Sequence, residues 1–161
     1  MKLITDNSCK IGILCYFLHM FWECPVILDF WKWVAQTLSD LLAVKLPLSP
    51  ALLLLGDNAN IVLNLQKRRL FMAGLTAAKS ILNGWFEPQC DRGSVWLRFY
   101  LSILILERST AKLHGASTMT LNNWTKGIDF IKALSKKYTA SMGSYYLNGV
   151  LAYSIYEPSL F

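Results

Sequence analysis

Ten acidic side chains and two histidines are few for 161 residues, and the acids are scattered singly. No pair of carboxylates is spaced for general acid–base or two-metal work. The chain has no Gly-rich phosphate loop, no nucleophile elbow and no zinc-protease helix motif. His114 falls at an expected helix end with no carboxylate nearby in sequence, a place that suits the helix dipole better than catalysis. These absences point away from an enzyme and from a small-molecule substrate. Charge is scarce as well, at 16% of residues against about 25% in ordinary domains. Yet 54% of the residues are hydrophobic, which excludes a globally disordered chain.

Long uninterrupted apolar runs are also missing. The best candidate, Ile11 to Trp31, is interrupted by His19, Glu23, Pro25 and Asp29, and its longest uncharged stretch, Ile11 to Trp22, has 12 residues, short of the roughly 20 that cross hydrocarbon. Lys45, Pro47 and Pro50 break the stretch from Leu41 to Leu55, and Glu107 ends the run from Phe99 to Leu106. No transmembrane helix is expected. Cys24-Pro25 lacks the small-residue pattern of a signal-peptide cleavage site, so the expected location is intracellular, cytoplasmic or nuclear. The length suits one compact domain. Six Trp, eight Phe and seven Tyr exceed what a short chain normally hides, so packing or a partner must cover them.

What is present is helical patterning. From Pro25, the positions Val26, Ile27, Phe30, Trp31, Val34, Leu38, Leu41 and Leu42 recur at three- and four-residue intervals, one face of an amphipathic helix with proline in its first turn. Pro47 ends it, and residues 46 to 50 read as an extended link. Ala51 to Leu55 is a short apolar turn of helix or strand before the turn signal Gly56-Asp57-Asn58. A second helix is predicted from Ile61 to Phe86, with Leu65, Leu70, Phe71, Leu75, Ala78, Ile81 and Leu82 on its stripe. A third runs from Ser94 to His114 and stops at Gly115. It is apolar nearly all round between Phe99 and Leu106, which predicts the central, most buried element. A fourth covers Leu121 to Tyr138, with Thr120 as N-cap. The fold class is therefore all-α, about four amphipathic helices in one small domain. A Cys/His segment occupies residues 1–24, the helical region 25–138, and an irregular tail 139–161.

Charge is uneven. Residues 1 to 60 carry four basic and five acidic side chains, and residues 61 to 161 carry twelve and five. The basic excess gathers at Lys67, Arg68 and Arg69, and again at Lys132, Lys136 and Lys137. Such clusters suit a polyanion or an anionic membrane surface, or else are solvated helix faces. Three of the four cysteines and one histidine fall within the first 24 residues as Cys9, Cys15, His19 and Cys24. Thiolate and imidazole are the ligands zinc prefers, and four complete a tetrahedral structural site. Cys15 and His19 would share one helical face. The bland reading is that Cys15 and Cys24 are small buried hydrophobes among Phe17, Met20 and Phe21.

The stretch from His19 to Pro25, followed by Phe30-Trp31, resembles the end of the Cys-Cys-His-Cys segment in polyproteins of vertebrate long interspersed element retrotransposons. The similarity continues through residues 46–50, Leu54-Leu55-Gly56-Asp57, residues 74–79 and residues 106–111, covering about residues 7 to 134. In that family the segment lies after the endonuclease and reverse transcriptase, neither of which this chain has room for. The resemblance implies a reverse-transcriptase-derived, non-catalytic remnant of the C-terminal region, associated with RNA binding. The zinc-knuckle motif carries over onto His19 and Cys24. It departs upstream, where the family's two cysteines lie close together; Cys9 stands near the second of them and Cys15 falls where a small residue is usual. One zinc, held by Cys9, Cys15, His19 and Cys24, is the cofactor this implies.

The expected partner is RNA or single-stranded nucleic acid, met by the two basic clusters through salt-sensitive phosphate contacts. Trp22, Trp31 and Trp33 are candidates for base stacking, with core packing as the alternative. The rival readings are a hydrophobic membrane-associated or protein-interaction protein, and a non-functional product of a decayed element.

Overall fold

The computed structural model describes residues 19–83 and 92–146. Among them it is all helical. A π-helical turn, His19–Glu23, leads into α1 (Pro25–Leu42), then α2 (Pro50–Leu55), α3 (Leu65–Asn83), α4 (Arg92–Leu113) and α5 (Thr118–Tyr146). No described helix is long and apolar enough to cross a membrane.

Helix boundaries follow local chemistry. Pro25 opens α1, and Ala43, in the left-handed region at φ 49°, closes it by returning its N–H to Asp40 O. The linker after it is held to the helix by Ser39, whose Oγ donates to Ala35 O at 2.7 Å and accepts from Leu46 N at 3.1 Å. This seats Leu46 in the core. Residues 51–55 take the helical option, as α2, closed by Gly56 at φ 74°. Helix α3 begins at Leu65 rather than Ile61, because Asn64 Oδ1 accepts the N–H of Lys67 at 2.8 Å and so caps it. Gly115 stops α4 as expected, at φ 72°, with the Ala116 N–H returning to Ala111 O at 2.9 Å. Helix α5 is capped by Ser117, not Thr120: the Thr120 N–H donates to Ser117 Oγ at 3.3 Å, one turn earlier than the sequence pattern indicates. It then runs on through residues 139–146, part of the tail that the sequence pattern marks as irregular. Their Ser, Gly and Tyr content hides the helical period.

The core corrects one expectation about rank. The element surrounded by others is α3, not α4: α3 packs against α1, α2, α4 and α5. Its Ala73, Gly74, Ala77 and Ala78 are all buried and small, so neighbouring helices approach closely. A Cβ on Gly74 would stand 2.6 Å from Leu38 Cδ2 of α1 and 3.3 Å from Tyr100 Cζ of α4. The indole of Trp96 donates to Gly74 O at 3.0 Å and the phenol of Tyr100 to Leu70 O at 2.8 Å, so both buried polar tips are satisfied on α3's backbone. Helix α4 buries Trp96, Leu97, Tyr100 and Leu104. It leaves Phe99, Ile105 and Leu106 in solvent.

Candidate nucleic-acid interface

Lys67, Arg68 and Arg69 occupy the first turn of α3, where there is no acidic side chain. Arg68 and Arg69 are exposed and Lys67 half-buried. None of the three side chains has a hydrogen-bond or ion-pair partner among the described residues. A helix N-terminus is the positive end of the macrodipole, so three cations there work against helix stability. The arrangement concentrates positive potential outside the bundle, where an anion would be welcome.

Two long-range hydrogen bonds show what shares this end. Gln66 Nε2 donates to Thr120 Oγ1 at 3.3 Å, tying the start of α3 to the start of α5. Arg108 Nε donates to Thr125 Oγ1 at 2.9 Å, tying the last turns of α4 to the same stretch. Lys112, one turn beyond Arg108 on α4, and Lys126, next in sequence to Thr125 on α5, are exposed. Sequence reasoning misses both, because each stands alone in sequence. Glu107, exposed, is the acidic side chain of α4.

Lys132, Lys136 and Lys137 are exposed on α5, as expected. They are not brought to the first cluster. From Thr120 to Lys136 the helix rises about 24 Å, toward the end where Trp33 meets Tyr138 at a ring separation of 5.7 Å. Asp129 lies one turn from Lys132 on the same side of α5. Lys126 and Lys137, three turns apart, share a face, so Lys126 stands between the two clusters.

The tryptophans divide. Trp31 is fully buried and its Nε1 donates to Phe21 O at 2.9 Å, so it is core and not a stacking platform. Trp22 is half-buried beside it at 6.1 Å. Trp33 is half-buried, set edge-on to Trp96 at 5.2 Å and against Tyr138 at 5.7 Å.

Of the metal-type donors, Cys9 and Cys15 lie outside the described residues. His19 opens the π-turn, and Cys24 precedes α1 with its carbonyl accepting from Leu28 N at 2.8 Å. The Cys24 thiol is free and half-buried against the core, the environment of a small hydrophobe. Arg92 is close enough to interact with it; burial lowers the Arg92 pKa from its ordinary value, and the nearby sulfur opposes that shift. Among the described residues no three His, Cys, Asp or Glu side chains gather.

The chain matches no protein-family model and no solved structure.

Proposed function

We propose that this chain is a non-catalytic module that binds RNA or single-stranded nucleic acid, a remnant of the retrotransposon polyprotein whose C-terminal region it resembles. The observation that supports this most is the unpartnered run Lys67-Arg68-Arg69 at the positive end of α3. Exposed Lys112 and Lys126 add further cations on α4 and α5, Lys126 shares a face of α5 with Lys137, and the half-buried rings of Trp33 and Tyr138 meet toward the far end of α5. Basic side chains would meet successive phosphates, and the two rings would accept a base at the far end.

The test is fluorescence anisotropy of a labelled single-stranded RNA across a salt series. Replacing Lys67, Arg68 and Arg69 together by Ala should shallow the log–log salt slope by about 2, from roughly 0.7 per phosphate contact on single strands. An unchanged slope rejects the cluster, and no salt-sensitive binding by the parent chain rejects the function. Zinc enters the proposal as a structural ion on Cys9, Cys15, His19 and Cys24, and metal analysis of the purified chain tests it: one zinc per chain is expected, and none removes it.

A further inference from the structure

We infer that the open face of the first two turns of α3, with the end of α2 beside it, docks on a membrane surface rich in anionic phospholipid. This goes beyond the nucleic-acid reading and does not rest on it. Exposed apolar side chains and cations without a partner among the described residues come together here. On α3, Leu65 and Met72 are seven residues apart and share one line along the helix, and Arg68 and Arg69 stand on either side of that line. The other side of these turns is core, at Leu70, Phe71 and Gly74. The open arc is therefore apolar in the middle and cationic at both edges, the pattern of a helix face that lies among lipid headgroups.

Neighbouring segments enlarge the apolar part. A Cβ on Gly56 would stand 3.3 Å from Met72 Cε, so the end of α2 sits against this face. Leu55, next to Gly56 in the chain, is 80% exposed. Ahead of α3 the chain alternates: Ile61 and Leu63 pack on the core, and Val62 between them is 96% exposed. Leu65 is 63% exposed and Met72 39%.

Chemistry chooses the occupant. A nucleic acid would use the cations and leave Leu55, Val62 and Leu65 without a role, since bases stack on aromatic rings and these side chains are aliphatic. An anionic bilayer uses both. Its headgroups meet Arg68 and Arg69, whose long stems lie along apolar surface, and the aliphatic side chains reach the boundary with the acyl chains. Asp57 is the acidic side chain nearest to the patch in sequence; it is exposed, and its Oδ1 accepts the Ala59 N–H at 3.1 Å. One carboxylate against Lys67, Arg68 and Arg69 leaves the patch positive. Docking is peripheral, because no described helix is long and apolar enough to cross a membrane.

Flotation of the full chain with lipid vesicles decides the matter. Vesicles of mixed phosphatidylserine and phosphatidylcholine should bind at least tenfold more tightly than phosphatidylcholine alone. Arg68→Ala combined with Arg69→Ala should weaken that binding about twentyfold, from roughly fivefold per basic side chain. Leu55→Ser, Val62→Ser and Leu65→Ser in one chain should weaken it at least tenfold, with the helical circular dichroism and the affinity for single-stranded RNA unchanged. Equal binding to the two kinds of vesicle, or binding to neither, overturns the inference. So does a serine variant that holds vesicles as the parent does, or one that loses RNA in equal measure, which would give the whole patch to nucleic acid. A parent chain that binds anionic vesicles and not RNA keeps this inference and rejects the nucleic-acid reading, and the reverse result does the opposite.

Discussion

Helices α3 and α4 lie side by side and divide the labour of the core in the opposite way from their hydropathy. Helix α4 is apolar nearly all round from Phe99 to Leu106, yet only one side of it is covered. Helix α3 opens with three cations, has Thr76, Lys79 and Ser80 in its second half, and is enclosed by four other helices. The difference lies in side-chain size. A helix can be surrounded only if its neighbours come close, and Ala73, Gly74, Ala77 and Ala78 allow this where Phe99 and Leu106 would hold neighbours away.

That contrast is open to attack, and the sharpest probe sits where the two helices meet. Trp96→Ala removes the fully buried ring that bonds Gly74 O and packs on Trp33 and Tyr100. It should lower stability by about 4 kcal/mol in urea titration. A loss below about 1 kcal/mol would show that α4 is not anchored there. Gly74→Val tests the close approach itself. With the added Cβ 2.6 Å from Leu38, a loss of about 2 kcal/mol is expected, measured the same way. An unchanged midpoint would mean that the packing around α3 yields freely.

Much of this architecture is legible in the sequence. Pro25 and Pro47 bracket α1, Gly115 ends α4, and the periodic apolar positions of all the long helices mark their inner faces. The rank of the helices is not legible, because hydropathy scores Gly74 and the alanines as weak core when their smallness is what makes α3 central. The sequence pattern misplaces the α5 cap by one turn because both Ser117 and Thr120 suit an N-cap, and only the donor geometry chooses between them. The composition of the candidate interface is half visible. Three consecutive cations announce themselves, whereas the hydrogen bonds that tie the starts of α3 and α5 and the end of α4 together, at Gln66 and Arg108, do not.

Smaller effects sharpen the same comparison. Tyr100→Phe removes one buried hydrogen bond to α3 and should cost about 1 kcal/mol at neutral pH. Burial pushes the Tyr100 phenol well above its ordinary pKa. The folded state therefore keeps its proton where the unfolded chain loses it, and stability falls as pH rises above about 10. The Phe variant should show a shallower alkaline loss; an identical alkaline limb would place that loss elsewhere. Smallest of all is Phe99→Ser, on the open side of α4. It should move the urea midpoint of the monomer by no more than about 0.5 kcal/mol, and a larger drop would show that the face is already covered within one chain.

The first turn of α3 has a consequence for the life of the folded chain. Three like charges at the positive end of a central helix weaken that end by electrostatic repulsion, and an anion that neutralised them would steady it. Under the proposed function, polyanion binding and fold stability would be linked by mass action, and the occupied chain would melt at a higher temperature than the free one.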